Sequence, residues 1–362
     1  MSRGINFGAG PGALPEEVLQ EAKDALWDWN GQRMSILEIG HRTESFKAMM
    51  NEAEEDLKDL LQLPKNYHIL FLGGSARVQF AMIPMNFLRD EKKADYVVTG
   101  TWSEVAYREA QKYGEPRLIA SSHEEHYQTI PEPDSWKRNN EAAYLYYTSN
   151  ETLTGVQFHA IPATLSQVPL VVDMTSDFLS RPIDVSKFGL IFAGSQKNVA
   201  PAGLTMVIVH EDYLGQAMLS TPSAYHYELQ VEQHSLYNTP PTFQVFMAGR
   251  MFKWLKQKGG LASMEERNKL KANLLYDFID KSDFYHNKIP AYCRSHMNVS
   301  FSLSNADLES VFLEKATVAG LLALKGHALT GGLRASLYNA ITVENVNTLL
   351  NFMSDFEKEV KK

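Results

Sequence analysis

The sequence predicts an α/β protein in two parts: a large domain on a mostly parallel β-sheet, then a small α+β C-terminal domain. Three observations carry this. Short apolar runs alternate with helical segments as far as His210, the pattern of a sheet covered on both faces. Chemically distinctive residues stand just after those runs, at the rim where open α/β sheets bind ligands. After Gly259-Gly260 the pattern changes to an alternating strand and fresh helices, which marks a second domain.

The bulk properties agree. A chain of 362 residues is long enough for two domains, at roughly 150 residues each. Its 44% hydrophobic and 22% charged residues are those of a soluble globular protein. The net charge of -8 argues against nucleic acid or an anionic membrane as partner, so an anionic substrate needs a local positive cluster. One cysteine, Cys293, allows no internal disulfide and points to a reducing compartment. No apolar run suits a signal peptide or a membrane span, and a cytoplasmic protein is expected.

In order, a Gly/Pro-rich start, Gly8 to Leu14, leads to a helix opening at Pro15-Glu16-Glu17, with stripe Val18, Ala22, Ala25 and Trp29 and a stop at Asn30-Gly31. Gly8-Ala-Gly10 is a poor dinucleotide fingerprint, since no strand precedes it and Pro11 intrudes. Thr43 caps a helix with Phe46, Met50, Ala53 and Leu57 inward. His41 and Arg42 therefore sit at a helix N-terminus, suited to a carboxylate or phosphate, or are plain surface residues. Strands are expected at Tyr67–Leu72, Tyr96–Thr99, Ala143–Tyr147, Pro169–Val172, Leu190–Ala193 and Thr205–His210. Residues 222 to 243 read as loop. Helices follow at 243–258 and 263–279, a strand with one wet face over Met297, Val299, Phe301 and Leu303, a helix over 308–324, and a last helix capped by Thr342.

Gly73 to Arg77, Trp102, Thr152, Asp173 and Lys197 each follow a strand end. Lys197 lies between two buried strands, after the turn Gly194-Ser195-Gln196. Low-dielectric surroundings lower an amine's pKa, as a Schiff-base lysine requires; the alternative is a lysine snorkelling from a loop. Each neighbour has a structural alternative too: Asp173 as a helix cap, Trp102 as core, Gly73-Gly74 as a simple turn. No zinc spacing or P-loop occurs, no metal is expected, and Cys293 falls outside the rim. The group fits pyridoxal phosphate, which needs a lysine for an imine, a carboxylate for the pyridine nitrogen, a flat ring partner and an amide-lined phosphate pocket.

Nearly end to end, the chain resembles the phosphoserine aminotransferase family, in the class V, fold-type I branch of pyridoxal phosphate enzymes. The segments that carry the likeness include Phe7-Gly-Ala-Gly-Pro-Gly-Ala-Leu-Pro15, Gly40-His-Arg-Thr43, Gly73-Gly-Ser-Ala-Arg77, Thr99-Gly-Thr-Trp-Ser103, Asn150-Glu-Thr152, Ala193-Gly-Ser-Gln-Lys-Asn198, Tyr237-Asn-Thr-Pro-Pro241 and Gly331-Gly-Leu-Arg-Ala-Ser-Leu-Tyr-Asn339. The resemblance implies a seven-stranded sheet, an arm at 1–15 joining the small domain, a large domain at 16–260 and a small one at 261–362. It implies catalytic roles for Lys197, which carries the cofactor and shuttles a proton, for Asp173 at the pyridine nitrogen, and for Trp102 stacked on the ring. Ala76, Arg77, Thr152 and Gln196 would contact the cofactor. Asn238 and Thr239 would reach its phosphate from the other subunit of a homodimer. Arg334 would take the substrate α-carboxylate, and His41, Arg42 and His327 the distal acid group.

The reaction implied moves an amino group from L-glutamate to 3-phosphohydroxypyruvate, giving O-phospho-L-serine and 2-oxoglutarate; the related four-carbon keto acid of pyridoxine synthesis is a further expected substrate. One departure stands out. After Gly326-His327 the family usually has an arginine, and here it is Ala328. Loss of one charge-assisted contact costs roughly 1.5–3 kcal/mol unless Lys325 or Arg42 compensates. Other readings are a serine or alanine–glyoxylate transaminase of the same class, a non-catalytic α/β protein binding a phosphorylated metabolite, and, more weakly, a nicotinamide dehydrogenase.

Overall fold

Helix and strand starts follow local chemistry in this computed structural model, which describes residues 3–88, 93–165 and 167–361. After a two-residue strand β1 (Ile5–Asn6), α1 (Glu16–Trp27) begins directly behind Pro15 with Glu16 and Glu17 in its first turn. It buries Val18, Ala22 and Ala25, while Trp29 is buried from the 3-10 turn that follows. α2 (Glu44–Leu61) opens at Thr43, whose Oγ1 accepts from Phe46 N at 3.3 Å.

The sheet units come next. β2 (Tyr67–Gly73) leads to α3 (Ala76–Phe87), and β3 (Lys93–Val98) to α4 (Thr101–Ala110). Then come β4 (Glu115–Ser121), β5 (Leu145–Thr148), the small ribbon β6 (Asn150–Glu151) and β7 (Val156–Gln157), β8 (Leu170–Asp173), β9 (Leu190–Gly194) and β10 (Leu204–His210). The seven-stranded sheet has the order β2-β10-β9-β8-β5-β3-β4. β10 runs antiparallel to both β2 and β9, and the remaining neighbours pair parallel. The C-terminal ends of all strands except β10 therefore share one edge.

Side chains alternate across the sheet as the pleat demands. Ile69, Phe71, Ile191, Ala193, Met206 and Ile208 pack with Val18, Phe46 and Phe252 on one face. Leu70, Leu72, Leu190, Phe192, Val207 and Val209 pack with Phe80, Ile83 and Ala106 on the other. β4 is missing from the sequence-based strands because it is an edge: Pro116 and Arg117 interrupt it and only Ile119 is buried, a pattern that also blunts edge pairing.

The remaining elements are α5 (Tyr227–Glu232), α6 (Thr242–Gln257), α7 (Gly260–Asp280), β11 (Tyr285–His286), β12 (Asn298–Leu303), α8 (Glu309–Val318), β13 (Leu321–Leu322), β14 (Leu333–Ser336) and α9 (Val343–Val360). Two expectations need correction. The 222–243 loop contains α5, held by Tyr227, whose N–H bonds Asn86 Oδ1 at 3.0 Å and whose hydroxyl bonds Gln79 Oε1 at 2.6 Å. The helix expected to run to Leu324 stops at Val318, because Gly320 turns left-handed (φ 79°) and Leu321-Leu322 pair with Ile5-Asn6. Thr342 does cap α9, accepting from Asn345 N at 3.2 Å.

A separate core gathers Ala272 and Leu275 of α7, Val299 and Phe301 of β12, and Val346, Leu349 and Met353 of α9, with Phe7 from the N-terminal segment. α7 serves both cores, since Leu261 and Met264 pack on the sheet side.

Candidate active site

Lys197 is placed by a rigid turn. After β9, Ser195 N bonds Leu204 O at 2.9 Å, and Ser195 O accepts from Val199 N at 3.1 Å and Ala200 N at 2.9 Å. Asn198 Nδ2 donates to Phe178 O at 2.9 Å. The lysine is only 9% exposed, and Nζ donates to Thr152 Oγ1. Burial pushes its pKa down to about 8, although the carboxylates of Asp173 and Glu151 favour the ammonium.

Asp173 ends the neighbouring parallel strand β8, in register with Phe192 of β9. Its Oδ1 accepts from Thr175 N at 2.8 Å. Burial raises its pKa; the Thr175 hydrogen bonds and the charge of Lys197 oppose that rise. Trp102 lies in the first turn of α4, with Lys197 Nζ 5.9 Å and the Arg77 guanidinium 5.5 Å from its ring centroid. Ala76 and Arg77 open α3 behind Gly74 (φ 121°) and Ser75, which makes no side-chain cap. The helix thus begins with amides that no side chain of Ser75 satisfies, a natural anion seat.

These groups surround one cavity of about 280 Å³, lined by Ala76, Arg77, Trp102, Thr152, Asp173, Gln196 and Lys197, all expected site residues. Arg334, on β14, does not line the cavity but lies next to it, donating from Nη1 to the backbone of the lining residue Thr152 (O, 3.3 Å). It is 9% exposed, and no carboxylate among the described residues pairs with it. Burial lowers its pKa. An unpaired buried guanidinium is costly and suits an incoming carboxylate.

His41, Arg42, Asn238, Thr239 and His327 do not line this cavity. His41 and Arg42 precede α2, with Arg42 exposed, and Asn238 and Thr239 are exposed between α5 and α6. His327 lies in the β13–β14 loop, its Nδ1 accepting from Leu329 N at 3.2 Å.

Thr148, Asn150, Thr175 and Ser176 also line the cavity, and sequence reasoning did not single them out. Thr148 and Asn150 stand beside the expected strand end, and Thr175 and Ser176 follow Asp173 directly, so the rim rule could have found them. Thr148 Oγ1 and Asn150 Oδ1 are buried without a partner among the described residues. The cavity thus offers an amine of lowered pKa, an acid, an aromatic face, an open helix start and unused polar atoms. That donor set fits a planar, phosphorylated, nitrogen-containing ring such as pyridoxal phosphate.

Comparison with known proteins points the same way. The "Aminotransferase class-V" family model matches residues 5–349. The chain is 52% identical over 354 residues to a phosphoserine aminotransferase of Laribacter hongkongensis, covering 98% of each. The structure of phosphoserine aminotransferase from Bacillus circulans subsp. alkalophilus is similar with TM-score 0.96 at 44% identity, covering 99% of both chains. That of a PLP-bound phosphoserine aminotransferase from Trichomonas vaginalis is similar with TM-score 0.90 at 38% identity, covering 97% of this chain and 100% of that one.

Proposed function

The chain belongs to the class-V aminotransferase family, and on that premise we propose that it is a pyridoxal-phosphate-dependent phosphoserine transaminase. It moves the amino group of L-glutamate to 3-phosphohydroxypyruvate, giving O-phospho-L-serine and 2-oxoglutarate. The observation that carries the reading is the meeting of Lys197, in the turn after β9, and Asp173, at the end of the adjacent parallel strand β8, in one cavity beside Trp102.

When bound, pyridoxal phosphate supplies an electron-accepting ring that stabilises negative charge at the substrate Cα and holds the amino group between half-reactions. Asp173 would hold the pyridine nitrogen, and its carboxylate would favour the protonated form of that nitrogen. Trp102 would offer the ring a flat apolar partner and exclude water. The amides at Ala76 and Arg77, with Gln196, hold the phosphate, and Thr152 orients Nζ of Lys197. Lys197 would hold the cofactor at rest, and its Nζ, as a neutral amine, would take the proton from the substrate Cα and carry it as the ammonium. Its pKa near 8 favours that duty. Arg334 pairs with the α-carboxylate. His41, Arg42 and His327 bind the distal acid, a carboxylate in glutamate and a phosphate in phosphoserine.

Asn238 and Thr239 reach the cofactor phosphate from a second copy, so the working unit is a homodimer with its sites at the subunit interface. Their exposure in one protomer supports this. The division into an arm at 1–15, a large domain at 16–260 and a small domain at 261–362 belongs to the same reading, and the two separate cores support it. A cytoplasmic location and use of the four-carbon phosphorylated keto acid of pyridoxine synthesis are further parts of the proposal. No helix of the described residues is long and apolar enough to cross a membrane.

A coupled assay with glutamate and 3-phosphohydroxypyruvate tests the reading. Turnover is expected for the wild type and none for Lys197→Ala, and borohydride should bleach the visible absorbance and label Lys197. Purified protein that stays colourless with the vitamer, or that ignores glutamate, overturns it.

A further inference from the structure

Helix α4 lacks an N-cap of its own. The cap position is Gly100, which has no side chain to accept the helix's free amides. Glu151, from the β6–β7 ribbon, does so across 49 residues of sequence. Its Oε2 accepts from Trp102 N at 3.1 Å, and its Oε1 from Ser103 N at 2.9 Å and Ser103 Oγ at 2.6 Å. The carboxylate is fully buried. The fit depends on glycine at the cap: a Cβ on Gly100 would lie 2.3 Å from Glu151 Cδ. Since the backbone of Gly100 is extended (φ 178°), it is proximity to Glu151, not backbone conformation, that excludes a side chain there.

From this geometry we infer that Glu151 is a positioning residue for the transaminase site: it caps α4 in trans and thereby fixes where Trp102 presents its ring to the cavity. The inference rests on the proposed cofactor, because a ring partner matters only if a ring binds. Glu151 and Trp102 belong to different elements, yet the carboxylate holds the amide of Trp102 itself. Loss of the cap frees the first turn of α4, and with it the indole. Trp102 Nε1 is buried with no partner among the described residues, so its own hydrogen bonding does not hold the ring in place. Glu151 also lies close enough to Lys197 to favour its ammonium, which gives a rival account of any defect.

Two variants separate the accounts. Glu151→Ala removes cap and charge together. Glu151→Ala/Gly100→Ser restores a local cap in the vacated space but not the charge. Apoprotein of each is titrated with pyridoxal phosphate by fluorescence quenching, and the Trp102 contribution to near-ultraviolet circular dichroism is taken as the difference from a Trp102→Phe partner. Glu151→Ala is expected to bind the cofactor about tenfold more weakly, about 1.4 kcal/mol, and to lose most of the Trp102 signal; the double variant should recover both. Unchanged affinity and signal in Glu151→Ala overturn the inference. So does a defect that Gly100→Ser leaves uncorrected although far-ultraviolet dichroism and melting show a folded protein, because the charge, not the cap, then matters. Failure of the wild type itself to bind pyridoxal phosphate would instead count against the proposed function.

Discussion

Asn339 donates its backbone N–H to Asn198 Oδ1 at 2.9 Å, which ties the turn after β14 to the residue beside Lys197. The strand that carries Arg334 and the loop that carries Lys197 are thereby registered to each other. Asn198 also donates to Phe178 O, so Asn198→Ala strands two buried backbone groups. It should destabilise the protein by about 1–3 kcal/mol and lower kcat. Denaturant melts with steady-state kinetics check both; a kcat equal to wild type in Asn198→Ala would show that the tie is not needed.

Lys197 should load cofactor faster as pH rises. Below about 8 its amine is mostly protonated, and above it mostly neutral and nucleophilic. The rate at which apoprotein forms its visible chromophore should climb through pH 8 and level off. The charge of Asp173 holds the lysine pKa up, so Asp173→Asn should move the midpoint to lower pH. Stopped-flow absorbance against pH reads this directly.

Lys271 is a buried lysine without a carboxylate partner among the described residues. Its Nζ donates to Leu337 O at 2.9 Å, Tyr338 O at 3.0 Å and Ile341 O at 2.9 Å. Burial, with Arg267 nearby, lowers its pKa from 10.5 to about 7. Between those values the unfolded chain binds more protons than the folded one, so this group makes stability rise with pH there. The slope approaches about 1.4 kcal/mol per pH unit in mid-window. Lys271→Met should remove that contribution while leaving three carbonyls unserved, which melts across pH 7–10 would reveal.

Arg334→Met should separate stability from function. Removing an unpaired buried charge is expected to leave the melting temperature equal or higher. Losing the α-carboxylate partner should cost at least about 2 kcal/mol, roughly thirtyfold in kcat/KM for both amino-acid substrates. A destabilised variant of normal activity would contradict the assignment.

Ala328→Arg should tighten phosphate recognition. Ala328 is exposed beside His327, so an arginine there meets no packing obstacle. A gained charge-assisted contact should lower KM for 3-phosphohydroxypyruvate by about tenfold, about 1.4 kcal/mol. An unchanged KM would mean that Lys325 or Arg42 already fills the role.

The sequence reveals most about what lies next to a strand end. Lys197, Asp173, Trp102 and Thr152 each follow an apolar run, so one rule about sheet edges gathers them without coordinates. The direction of β10 is not legible, because Leu204 to Val209 is an apolar run whichever way it points. β4 hides behind Pro116 and Arg117. Glu151 escapes because its partner amides are far away along the chain, and periodicity records only neighbours. His41, Arg42, Asn238, Thr239 and His327 carry suitable chemistry, yet none of them lines the cavity, and nothing in their local sequence tells them apart from the residues that do.

The N-terminal segment is anchored to the rest of the fold by residues synthesised long after it. β1 pairs with β13, Gly12 N bonds Gln196 O at 2.8 Å, and Ala9 O receives the hydroxyl of Tyr338 at 2.7 Å. A Cβ on Gly12 would fall 2.5 Å from Lys197 O, so the strap lies directly on the lysine's backbone. On the ribosome the opening residues must therefore wait unseated while nearly all of the polypeptide emerges. A nascent chain stalled before Tyr338 could build its sheet yet would still lack the hydroxyl that fastens Ala9.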